Sequence, residues 1–204
     1  MSSIDEVTKG MDSISVNRRT KSEHKAGYTD DYNDDDKPLT QSDVNEERKK
    51  LLLMPAKQMN RLVDDFSNCL TRILTAAEKR LKQMEKDNPD EDYSEDIVLV
   101  TQIRGLMAFC PNEELFVRTK GKVWKVKDHI LKRNVNYFRD RDYNKLIKKD
   151  SNEAFIYQII DLIKDQVDVL TSDELEYYWK QVAQMLQCVA IFKKTVKESR
   201  QKKK

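Results

Sequence analysis

After Pro55 the apolar residues Met59, Leu62, Val63, Phe66, Cys69, Leu70, Ile73, Leu74, Ala77, Leu81 and Met84 recur at steps of three and four. That spacing gathers them on one stripe of a helix and predicts a long amphipathic helix over residues 56–86. Asp87-Asn88-Pro89-Asp90 then ends it, because proline resists continuing a helix and pushes the preceding residue toward extended geometry. Composition points the same way. Four Gly and four Pro in 204 residues, with 36% charged side chains, is the usage of helices; a strand-and-turn sandwich needs many more turn residues.

Further helices follow. Ser94 is placed to cap a second, carrying Ile97, Val100, Ile103, Leu106 and Met107; its run 97–100 has strand character, but length and the lack of a partner strand decide for helix. Asn112 is the expected cap of a third, with Glu113 and Glu114 in the first turn, Leu115, Phe116, Val123 and Trp124 for burial, and Gly121 as a weak point. A short helix around 128–132 leads through 134–138 into a charged loop at 139–149. Asp150 stands three residues before Glu153, and Thr171 three before Glu174, the spacing of capping boxes. The runs they open hold Phe155, Ile156, Ile159, Ile160, Ile163, Val167 and Leu170, then Leu175, Tyr178, Trp179, Val182, Met185, Leu186, Val189, Phe192 and Val196. So short a turn between them predicts an antiparallel hairpin.

Up to about residue 50 the apolar residues are isolated among polar ones, too sparse to offset the entropy of ordering, so an arm over 1–54 is expected to be disordered. Its acidic cluster Asp30, Asp31, Asp34, Asp35 and Asp36 lacks the central Gly, the alternating ligands and the closing Glu of a calcium loop, and reads as a solvated acidic tract. Cys69, Cys110 and Cys188 are odd in number, widely spaced and without a neighbouring His, so they read as buried thiols of a reducing intracellular compartment. No apolar run approaches the ~18 residues of a membrane span, and the N-terminus lacks a basic-then-apolar signal pattern.

A net charge of +2 hides blocks of sign. Residues 111–150 carry 12 Lys and Arg against 6 acids, residues 151–190 carry 2 against 7, and residues 191–204 carry 7 against one. Such blocks suit self-association, docking to protein partners, or contact with a polyanion such as nucleic acid. Aromatics lie among the basic residues of the first block, and cations with exposed rings are what phosphates and bases require. The candidate polyanion-binding residues are Lys120, Lys122, Lys125, Lys127, Lys132, Arg133, Arg139, Arg141, Lys148 and Lys149, joined by the C-terminal Lys202, Lys203 and Lys204. As ordinary alternatives, Trp124 and Phe138 serve as core residues and the lysines as a solvated face.

Catalysis finds no foothold. Only His24 and His129 exist, one in the polar arm and one on a short helix; phosphate-cradling, nucleophile-elbow and metalloprotease motifs are missing. The acid pairs Asp64-Asp65 and Asp140-x-Asp142 read as salt-bridge partners, the second being flanked by Arg139 and Arg141. A non-enzymatic chain without cofactor or metal is expected.

The succession Asp128-His129-Ile130-Leu131, Val135-Asn136-Tyr137-Phe138-Arg139-Asp140-Arg141-Asp142-Tyr143, a helix over 156–167 and Tyr177-Tyr178-Trp179-Lys180-Gln181-Val182 through Phe192 resembles a group of uncharacterised helical proteins of large nucleocytoplasmic DNA viruses. In that group an aromatic element ending in Asp-Tyr precedes a helical hairpin, with a long amphipathic helix upstream. The resemblance covers roughly residues 59–192. It implies a viral virion component or assembly factor, located in host cytoplasm or virion, and carries over no functional residue.

The expectation is therefore an all-α chain. Residues 55–198 form an irregular bundle of about five helices closing in an antiparallel hairpin, behind the arm 1–54 and ahead of a basic tail 199–204. Its expected role is a structural or protein-interaction module, with nucleic-acid association through residues 118–149 and the C-terminal lysines as the alternative.

Overall fold

The computed structural model describes residues 39–141, 143 and 154–202. Among them are eight α-helices, one 3-10 turn and no strand. In chain order the helices are α1 (Gln41–Leu51), α2 (Ala56–Asp87), α3 (Ser94–Phe109), α4 (Asn112–Lys125), α5 (Lys127–Leu131), α6 (Val135–Arg139), α7 (Ala154–Gln166) and α8 (Ser172–Gln201); the turn is Val167–Val169. No helix among the described residues is long and apolar enough to cross a membrane.

The long amphipathic helix is α2, and Leu62, Val63, Phe66, Cys69, Leu70, Ile73, Leu74, Ala77 and Leu81 of its stripe are buried. Thr171 caps α8 as its spacing requires: its hydroxyl accepts from the Glu174 amide at 3.3 Å while the Glu174 carboxylate accepts from the Thr171 amide at 2.8 Å.

Other expectations are corrected. Polar character was expected through residue 54, yet Gln41–Leu51 is a helix opened by a second capping box, Thr40 with Asp43. Its few apolar residues, Val44 and Leu51, are nonetheless buried. Residues 1–38, with the acidic cluster and His24, lie outside the described residues, as does the Asp150–Glu153 box. Asn112 is not the cap of α4. Pro111 takes that position without a side-chain hydrogen bond, and the Asn112 amide donates to Asp64 at 2.7 Å. Ser94 is already helical; the Asp92 carboxylate accepts its amide at 2.9 Å. Residues leading into the charged loop form α6, where the Asn134 side chain accepts from the Tyr137 amide at 3.2 Å. The tail's first residues continue α8 to Gln201.

The expected single domain 55–198 divides into two compact units woven from alternating segments. One unit comprises Leu74–Phe109 and Asn134–Val169, and so holds α3, α6, α7 and the end of α2. Here α3 and α6 both pack on α7. Leu99, Val100, Ile103, Tyr157, Ile159 and Leu162 are buried, and the rings of Tyr143 and Tyr157 stack at 6.3 Å.

The other unit holds Leu39–Ile73, Cys110–Arg133 and the segment from Leu170 that contains α8. Its centre is Phe116 of α4, fully buried, with the rings of Phe66 and Phe192 meeting it edge to face at 5.1 and 5.4 Å. Helix α4 packs on α1 and α8, and α8 also on α1 and α5. The hairpin expected of α7 and α8 would draw its arms from the two different units.

These contacts rank two substitutions. Phe116→Ala leaves a cavity between two rings and is expected to cost about 3–5 kcal/mol, whereas Thr171→Ala removes one cap and costs about 1 kcal/mol. Urea unfolding followed by circular dichroism measures both; a Phe116→Ala loss no larger than that of Thr171→Ala contradicts the central role of that ring.

Candidate interaction surfaces

The candidate cations do not form one patch. Lys120, Lys122, Lys125, Lys127, Lys132, Arg133 and Lys202 belong to the α8 unit, Arg139 and Arg141 to the α7 unit, and Lys148, Lys149, Lys203 and Lys204 lie outside the described residues.

Several are already engaged. Lys120 Nζ is 2.7 Å from a Glu47 oxygen and 5.4 Å from the Phe192 ring centre. Lys127 pairs with Asp128 at 3.1 Å. Arg133 meets Glu176 with two nitrogens at 2.6 and 2.9 Å. That fork holds a residue with a left-handed backbone, φ 51°, at the end of α5, where glycine is the usual occupant. Arg139 reaches Asn136 at 2.8 Å, Asp140 at 3.2 Å and Asp168 at 3.5 Å. The Asp140 hydrogen bond leads the causes that raise its pKa. Arg141 lies over the Tyr137 ring at 5.6 Å. Lys122 is half-buried, while Lys125, Lys132 and Lys202 are exposed.

Helix α1 supplies one acid to this set, Glu47, and one base to a buried acid of α4. Glu114 is 3% exposed, and its carboxylate accepts from Arg118 at 2.8 and 2.9 Å and from Arg48 at 3.0 Å. A buried carboxylate is tolerable only with such partners. Glu47, next to Arg48, takes Lys120 and Lys50. Burial works to raise the Glu47 carboxyl, but the hydrogen bonds from Lys120 and Lys50 outweigh it and hold the group below its ordinary value.

Trp124 is half-buried and expected roles of core or platform both touch it: Lys193 Nζ stands 4.1 Å and Lys127 Nζ 5.8 Å from its ring centre. Burial first, then Lys120 and Lys127, push the Lys193 ammonium below its ordinary value, opposed by Glu47. Among the described residues Lys193, Lys197 and Arg200 form no ion pair. With about 100° per residue they lie within about 60° on one face of α8. Their i, i+4, i+7 spacing is the sequence signal of this face; the expected Lys202 sits about 180° from Lys193.

A second surface was not anticipated. Helix α3 buries Leu99, Val100, Ile103 and Met107, yet Val98 and Phe109 are 53% and 76% exposed. Val98, Gly105 and Phe109 fall within about 40° of one another around the helix. Exposed Gln102 lies about 40° from Val98 on the same face, and a Cβ at Gly105 would meet nothing within 4 Å.

The thiols are free: Cys69 and Cys188 are buried and Cys110 half-buried. Burial pushes Cys110 up to about 11 and Cys188 up to about 12, so both are thiols at neutral pH. His129 lies half-buried on α5. Among the described residues no three His, Cys, Asp or Glu side chains converge as a metal site.

No protein-family model, curated protein or solved structure matches this chain.

A carboxyl depressed in the folded state contributes stability above its unfolded pKa of about 4 and loses it as pH falls through the lower folded value. Amide exchange over residues 41–51, corrected for the intrinsic rate, is therefore expected to lose protection as pH drops below about 4. Glu47→Gln is expected to flatten that profile; an unchanged profile removes Glu47 from the docking of α1.

Proposed function

We propose that the chain is a non-enzymatic module that docks a protein partner through the exposed face of α3. The observation behind this reading is the pair Val98 and Phe109, large apolar side chains left in water on a helix that already buries its opposite side. Two apolar anchors on one helix face, about three turns apart with exposed Thr101 and Gln102 and the bare Gly105 between them, suit a partner that brings apolar groups to each end and polar groups to the middle. Gly105 lowers the surface between them, so a partner's backbone or a large side chain can approach closely. The resemblance of residues 59–192 to helical viral proteins adds a setting, a particle component or a factor in particle assembly.

Gly105→Ala separates docking from folding. Free space surrounds the new methyl, so the isolated chain is expected to gain about 0.5–1 kcal/mol from helix propensity. A partner packed against Gly105 would be pushed away by the same methyl. Affinity purification from the native source, with quantitative mass spectrometry, is expected to recover partners with the parent chain that Gly105→Ala retains weakly and that Val98→Asp with Phe109→Asp loses. Recovery of the same proteins in the same amounts by all three chains overturns this reading.

A further inference from the structure

The unpaired cations of α8 form a continuous track that starts at an aromatic ring. Lys193 covers the Trp124 ring at 4.1 Å, and Lys197 and Arg200 continue the same face for one and two turns. From Lys193 to Arg200 the helix advances about 10 Å, room for more than one backbone phosphate along the same face. Glu198, the one acid in this stretch, points about 140° away from Lys193.

We propose that Lys193, Lys197 and Arg200 bind the phosphate backbone of a single-stranded nucleic acid, with the Trp124 ring receiving a base. This goes beyond the docking face on α3 and uses different residues. Three features choose this ligand over other polyanions. First, the cations are ready: among the described residues none of the three forms an ion pair that a phosphate would have to break. Their neighbours Lys120 and Lys127 are held by Glu47 and Asp128 and contribute field without being displaced. Second, burial and the neighbouring Lys120 and Lys127 disfavour the Lys193 charge at the ring, opposed by the field of Glu47 and by the ring's own attraction for a cation. Moving its ammonium onto a phosphate relieves that and uncovers the indole, and base-on-indole stacking tolerates any base. Third, a lipid surface requires apolar side chains beside the cations. The exposed apolar residue of this stretch, Ile191, lies about 160° from Lys193, on the far side of the helix.

The test is a fluorescence-anisotropy titration of the full chain against a labelled oligothymidylate at about 50 and about 200 mM salt. Binding is expected at the lower concentration and strong weakening at the higher. Replacing Lys193, Lys197 and Arg200 together by Gln is expected to weaken binding at low salt by about a hundredfold and to reduce the slope of log K against log salt by about 2, near 0.7 per phosphate released. No ion pair is broken by these changes, and circular dichroism is expected to stay as in the parent. Trp124→Leu is expected to lose about tenfold or more, with Trp124→Phe between it and the parent. Arg139→Gln, in the other unit, is expected to bind as the parent does. The proposal is overturned by no binding at low salt, by an unchanged slope in the triple variant, or by parent affinity in Trp124→Leu. Tighter retention by anionic vesicles or a polyglutamate peptide than by the oligonucleotide also overturns it, assigning the face to a lipid or protein partner.

Discussion

Glu114 stands in the interior of the α8 unit, where an ionised carboxylate without partners would cost several kcal/mol. Its neighbour one turn on, Arg118, answers part of that demand from the same helix, and Arg48 answers the rest from α1. The second contact carries the architecture. To bring Arg48 to Glu114, α1 must lie along α4, and this sets Glu47 against Lys120 and turns Val44 and Leu51 inward. The same arrangement lets Ser199, near the end of α8, donate to the Leu53 carbonyl at 3.2 Å. One buried charge thus fixes a helix with little apolar surface of its own, and that helix engages Lys120 through Glu47.

This explains what was legible in the sequence and what was not. Helix α2 and the opening of α8 depend on short-range patterns, a 3.6-residue apolar period and a Thr-to-Glu capping box, both visible as letters. Helix α1 has too few apolar residues to announce itself, and its partners lie 66 and 77 residues away, so its residues read as part of a polar arm. Asn112 failed as a cap for a related reason: a local rule assigned its side chain to the helix end, while the fold gave it to Asp64. The division into two units was also hidden, because the apolar stripe of α2 runs without a break through the boundary between Ile73 and Leu74.

The candidate site was legible as charge and illegible as charge available. Counting Lys and Arg by segment drew attention to residues 111–150, yet ion pairs with Glu47, Asp128, Glu176 and Asp168 occupy Lys120, Lys127, Arg133 and Arg139. Three of those four acids come from other segments, which a running sum cannot see. Past Phe192 the sequence offers a single acid, on the wrong side of the helix to meet Lys193, Lys197 or Arg200, and the surplus positive charge of the unit is left there.

The two surfaces rest on opposite physics, and that is what allows each to be examined without the other. Contact at α3 removes Val98 and Phe109 from water, a driving force that added salt leaves intact or strengthens. Contact at α8 releases counterions from a polyanion, a driving force that added salt diminishes steeply. A partner whose retention survives high salt therefore belongs with the apolar helix, and one that elutes early belongs with the lysine track beside Trp124. Ionic strength alone sorts the ligands of the two surfaces.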